Sequence, residues 1–200
     1  MTSVFAPSPV EAPARSKPAI TVDRVSKIYG QGVEAVSALD EVSFDVQPGE
    51  LVCLVGASGC GKSTLLNLMA GLDRPTSGSI TMPVGRVALM FQDPALFPWL
   101  TVEQNIEFPL QVRRVDLLHH ELEQLWGTSG LTIVFVTHNV REAVRLGDRV
   151  IVLSSRPGRL AAEFHVDLPR PRHIDSAANA ELAATITERL HQTMSNGETA

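Results

Sequence analysis

Cysteine is scarce in this 200-residue chain, which holds only Cys53 and Cys60. They are too few and too close together to frame a disulfide scaffold, so a reducing compartment is the default. Positive charge is not in excess either: 17 Lys and Arg stand against 22 Asp and Glu, for a net charge of −5 and a pI near 5.7. That balance argues against a nucleic-acid partner held by phosphate neutralisation. No segment approaches the ~20 apolar residues of a membrane span. Residues 1–18 carry Pro7, Pro9, Pro13 and Pro18 but lack the continuous apolar run of a secretory signal. They read as a flexible leader, and any meeting with a membrane is expected to go through a partner. What the chain does have is 44% hydrophobic residues, enough for one domain with a core.

The hydrophobic pattern alternates between strand and helix. Ala19–Val25 and Glu41–Val46 read as short strands, the second with Val42, Phe44 and Val46 at period two. After the Gln47-Pro48-Gly49 turn, Leu51–Val55 is an unbroken apolar run, as expected of a strand covered on both faces. A helix is predicted from Lys62 to about Ala70. Arg86–Phe91 reads as a buried strand, Asp93–Thr101 as a loop, and Val102–Val112 and Asp116–Trp126 as helices. Further strands are expected at Leu131–Val136, Arg149–Leu153 and Leu160–Val166, with a short helix at Arg141–Leu146. Ala178, Leu182, Ile186 and Leu190 recur at the spacing of a terminal helix. The alternation predicts an α/β domain with a largely parallel sheet.

Between the apolar run and the first helix lies Gly56-Ala57-Ser58-Gly59-Cys60-Gly61-Lys62-Ser63, followed by Thr64. It matches the phosphate-loop pattern G-x-x-x-x-G-K-[ST] in the strand-to-helix context that gives the pattern meaning. Glycines let the main chain curl until several N–H groups converge on one phosphate. The helix start adds unpaired N–H groups and the positive end of its dipole. Lys62 can reach the β- and γ-phosphates, and the Ser63 hydroxyl can ligate Mg²⁺. Other tempting residues read as ordinary ones. His119 and His120 are adjacent on a predicted helix and diverge. His165, His173 and His191 show no metal-ligand spacing. Cys60 reads as a small residue tolerated in the loop, with a reactive thiolate as the alternative.

Three segments, GASGCGKSTLLNLMAGLDRPTSGSI, LMFQDPALFPWLTVEQNI and FVTHNVREAVRLGDRVIVLSSRPGRL, resemble the nucleotide-binding subunit of ATP-binding-cassette transporters. PALFPWLTVEQNI and the tail after Pro157 most resemble the nitrate, sulfonate and taurine importers. The resemblance covers about Ile20–Leu190. It implies a P-loop NTPase-like fold, with a parallel sheet flanked by helices and an N-terminal antiparallel β portion. It implies ATP and Mg²⁺ as ligands, with Tyr29 stacking on the adenine. Gln92 would donate an oxygen toward Mg²⁺ or the attacking water, and His138 would contact the γ-phosphate. Taken alone, Tyr29 also reads as a plain sheet-surface tyrosine, Gln92 as a strand-end glutamine exposed to solvent, and His138 as a structural histidine at a strand end. Phe97, Pro98 and Trp99 would help receive a transmembrane permease, with a merely packed loop as the alternative. A solute-binding protein and a second copy of the chain are the other implied partners, at the inner face of the membrane. An unrelated phosphate-loop kinase is disfavoured, since VTHNVREA and FQDPALFPW suit the transporters and no acceptor-binding lid is evident.

Two family elements are absent. No Ser-Gly-Gly occurs, so the LSGGQ-type signature is missing, and no apolar strand ends in Asp-Glu. The one Asp-Glu pair, Asp40-Glu41, precedes the phosphate loop and reads as coincidence. LQVRRV resembles the start of the helical subdomain, and DLLHHELEQLW resembles the helix after the missing strand. An internal deletion is therefore expected near Arg114–Asp116, with the helical subdomain mostly missing. The expected organisation is a leader at 1–18, a nucleotide-binding domain at 19–170 and a C-terminal helical extension at 171–200.

Overall fold

The structure is a computed structural model that describes residues 17–82, 126 and 130–195. In chain order its elements are β1 Ile20–Tyr29, β2 Val36–Val46, β3 Leu51–Gly56, α1 Lys62–Met69, β4 Ser77–Thr81, β5 Ile133–Val136, α2 Val140–Leu146, β6 Arg149–Leu153, β7 Leu160–His165 and α3 Ala177–Ser195. The strand expected at Arg86–Phe91, the loop at Asp93–Thr101 and the helix at Val102–Val112 lie outside the described residues. Of the helix at Asp116–Trp126, only Trp126 is described, and it is helical.

Among the described residues two sheets form, in the orders β2-β1-β4 and β5-β3-β6-β7. The first is antiparallel throughout. In the second, β5 and β6 run parallel to β3, and β7 returns antiparallel along β6. β3 explains the arrangement. It is buried along its whole length, and its side chains divide by parity as the pleat requires. Val52 and Leu54 join Val22, Val25, Leu39, Val42, Leu65 and Leu68 in a core between the two sheets and α1. Leu51, Cys53 and Val55 face Ala143, Val144, Leu146, Ala183 and Ile186 in a second core beneath α2 and α3. One continuous apolar run thus serves two cores.

β1 and β2 are longer than their apolar pattern indicates, because each is bulged. Arg24 and Glu41 adopt positive φ, at 44° and 49°, and the register shifts on either side of Val25. Neighbouring hydroxyls accept the displaced amides: Arg24 N–H donates to Ser43 Oγ at 2.8 Å and Glu41 N–H to Ser26 Oγ at 3.0 Å. The bulges scramble the alternation, so Val36–Asp40 and Ser26–Tyr29 do not read as strand. β4, almost wholly exposed, carries no apolar signal and is set by pairing with β1 alone. α3 also differs in its buried face. Asn179, Ala183 and Ile186 are buried, Leu182 and Leu190 half-buried, and Ala178 is exposed.

Candidate functional site

The phosphate-loop sequence forms a bend between β3 and α1. Gly59 and Gly61 adopt φ of 74° and 98°. At Gly61 no other residue fits: a Cβ would lie 2.7 Å from Ala38 O and 2.6 Å from Leu39 Cδ2. The first α1 hydrogen bond runs from Leu65 N–H to Gly61 O at 2.8 Å. The N–H groups of Lys62, Ser63 and Thr64 precede it and lack intrahelical acceptors. Lys62 folds back over the loop, its ammonium donating to Gly56 O and Ala57 O, each at 2.8 Å, with Cys60 Sγ at 3.6 Å. Ala57 is half-buried, Ser58 exposed and Cys60 buried.

Beside this bend lies a cleft of about 200 Å³ lined by Tyr29, Val36, Ala38, Gly59, Gly61, Lys62, Ser63, Thr64 and Arg156. The structure therefore brings Tyr29 from the end of β1 to the loop, far apart in sequence though they are. Tyr29 is braced from behind. Its hydroxyl donates to Asp73 Oδ2 at 3.1 Å, and Lys27 Nζ lies 4.8 Å from the ring centroid. Lys27 also donates to Asp73 Oδ1 at 2.7 Å. That hydrogen bond, followed by the Arg74 amide, holds the Asp73 carboxyl below its ordinary pKa. Among the described residues, the lining includes two cations and no carboxylate.

His138 follows β5 and is exposed. Leu54 pairs with Val136 and Thr137 N–H donates to Leu54 O at 3.2 Å, so His138 emerges at the same sheet edge as the phosphate loop. Its backbone is pinned from both sides. Buried Thr137 donates its hydroxyl to Glu142 and accepts from Asn139 N–H at 3.0 Å. The Asn139 side chain in turn caps α2, accepting from Arg141 and Glu142 N–H. Gln92, Phe97, Pro98 and Trp99 lie outside the described residues. Cys53 is fully buried beneath the sheet, and burial pushes its thiol pKa far up.

Asp73 and Arg156 reach the site without a signal in the sequence. Both stand in turns whose composition says only that the chain reverses, and only tertiary pairing returns those turns to the loop. No group of three or more His, Cys, Asp or Glu among the described residues is placed to hold a metal. The exposed Ser63 hydroxyl, in the cleft beside Lys62, fits a Mg²⁺ ion whose other ligands come from phosphate oxygens and water.

A buried parallel strand entering a glycine bend and leaving as a helix, with an antiparallel sheet packed across it, defines a phosphate-loop NTPase-like domain. The family model described as ABC transporter matches residues 39–199, and the chain belongs to that family. An aliphatic sulfonates import ATP-binding protein from Mesorhizobium japonicum is 34% identical, covering 90% of this chain and 95% of that one. Another of the same name from Streptomyces avermitilis is 32% identical over 94% and 93%. Among solved structures, the dimeric bacterial ABC transporter cassette MJ0796 has a TM-score of 0.60 at 22% identity. It covers 75% of this chain and 100% of its own.

The first of these alignments runs over 253 positions, more than the 200 residues of this chain, while reaching across 95% of the relative. Positions without a counterpart here therefore fall inside the aligned span. An internal deletion of the kind read from the sequence accounts for such positions, consistent with a missing helical subdomain. No helix among the described residues is long and apolar enough to cross a membrane.

Proposed function

We propose that the chain is the nucleotide-binding subunit of an importer for sulfonate-like anions, of the nitrate, sulfonate and taurine type, and that its own ATP hydrolysis is severely slowed. The observation that carries the binding half is the convergence of Tyr29, Lys62, Ser63 and Thr64 on one cleft at a strand-to-helix bend. Tyr29 offers a ring for the adenine. The main chain from Gly56 through Ala57, Ser58, Gly59, Cys60 and Gly61 offers amides to the phosphates, as do Lys62, Ser63 and Thr64 at the helix start. Ser63 and Gln92 would hold Mg²⁺, which neutralises charge on the phosphate oxygens when bound. His138 is assigned to the γ-phosphate side on its place at the shared sheet edge. The sulfonate reading rests on what the curated relatives import. A transmembrane permease, a solute-binding protein and a second copy are the matching partners, at the inner face of the membrane. The working division remains a leader at 1–18, a nucleotide-binding domain at 19–170 and a helical extension at 171–200.

The second reading, a nucleotide-binding remnant that drives no transport, is favoured by the missing Asp-Glu strand and signature. Phosphoryl transfer depends on positioned groups, and losing the water-orienting one costs about 10²–10⁴ in rate. Nucleotide titration of the purified chain separates the parts. ATP binding is expected, and Lys62→Ala is expected to abolish it. Phosphate release is expected at background level. Turnover at a rate ordinary for transport ATPases would refute the slowed-hydrolysis claim, and complementation of an importer-deficient strain would refute the remnant reading.

A further inference from the structure

Among the described residues, Arg156 is the one charged residue lining the cleft to which no role has yet been given. The turn that bears it, between β6 and β7, is stapled to β2 and to the phosphate loop. Gly158 N–H donates to Ala38 O and Asp40 N–H to Gly158 O, each at 3.0 Å. A Cβ on Gly158 would lie only 2.1 Å from Cys60 O, so the turn's main chain rests directly on that of the loop. Within the turn, the Ser154 hydroxyl donates to Pro157 O at 3.1 Å and accepts from Arg159 N–H at 3.0 Å. Arg159 is held by Asp40, with Nε at 2.8 Å from the carboxylate. Arg156 is therefore mounted on a fixed platform.

Its side chain lies over Gly59, with Nη2 3.6 Å from where a Cβ on that glycine would stand. The side chain is exposed and, among the described residues, makes no hydrogen bond or ion pair. The contrast with Arg159, three positions on and consumed by Asp40, is informative. Lys62 and Arg156 line one cleft with, among the described residues, no carboxylate between them. Two cations so arranged repel unless an anion lies between them. A guanidinium fork suits phosphate oxygens, since it gives two parallel charge-assisted bonds where an ammonium gives a point charge.

We infer that Arg156 is a binding residue for the polyphosphate chain of a nucleoside di- or triphosphate, clamping it from the side opposite Lys62. This rests on the nucleotide reading of the cleft and adds a cation supplied by the β6–β7 turn. The test is titration of the full chain with ATP, ADP and adenosine, comparing wild type with Arg156→Ala, Arg156→Lys and Lys62→Ala. Loss of a charge-assisted bond should weaken ATP and ADP by about tenfold or more in Arg156→Ala. Arg156→Lys should recover part of that loss, and adenosine affinity should not change. The salt dependence of ADP binding should also become shallower, since one screened charge pair is removed. Melting without nucleotide should be unaltered, because the guanidinium has no partner to lose among the described residues. ATP and ADP affinities within about twofold of wild type in Arg156→Ala, with binding lost in Lys62→Ala, would overturn the inference alone. So would an equal loss for adenosine, which would place the effect on cleft shape rather than phosphate. No nucleotide binding by the wild type would overturn this inference and the nucleotide reading together.

Discussion

Single residues at the cleft carry conformational and electrostatic demands that can be tested one at a time. Gly61 combines φ of 98° with a main-chain oxygen 2.7 Å from where a Cβ would sit. Gly61→Ala is expected to cost about 2 kcal/mol, read as a fall in Tm of about 4–8 °C. Asp73 predicts a pH response. Its folded pKa is depressed, chiefly by the Lys27 hydrogen bond. Its contribution is therefore complete above the unfolded value near 3.8 and lost as pH falls through the lower folded value. Tyr29 is the single tyrosine of the chain, so its ring resonances report directly on this tie. They should shift on acidification below that range in the wild type, and Asp73→Asn should abolish the step. A shift that persists in the variant would remove Asp73 as its source.

At the scale of elements, the length and placement of α2 depend on its ends. Seven residues are too few to hold a helix by propensity. Asn139 supplies the cap and Arg172 gathers the far end, donating to Val144 O at 3.1 Å and Leu168 O at 2.9 Å. Asn139→Ala should destabilise the domain by about 1 kcal/mol in denaturant titration. Asn139→Ser should recover most of it, since a serine hydroxyl caps comparably. Failure of serine to rescue would mean that Asn139 acts through the Thr137–Glu142 contact instead.

Across the whole molecule, α3 is where packing joins distant segments. Ile186 is fully buried and Ala183 nearly so, both in the core shared with β3, β6 and α2. Ile186→Ala is expected to cost about 2–5 kcal/mol and to shift a single cooperative transition seen by both Trp fluorescence and far-UV signal. Ala178→Ser, on the exposed face, should leave it in place. If Ile186→Ala melts the helix in a separate earlier transition, α3 is an independent unit and not part of the domain's cooperative core.

Local chemistry determined the phosphate loop and the strands and helices beside it. A long apolar run, a glycine bend and Lys62 each state their conformation in adjacent residues, and family motifs extended the reading to His138. The neighbours of the loop were decided elsewhere. Tyr29 reaches the cleft because β1 runs on through a bulge that its alternation hides, Asp73 because a turn doubles back on Lys27. Arg156 arrives because Gly158 hydrogen-bonds to Ala38 and Asp40 on β2. These placements are long-range pairings, and a sequence pattern with a period of two or three to four residues holds no information about which distant turn comes to rest on which loop. Only closure of the two sheets on one another supplies it.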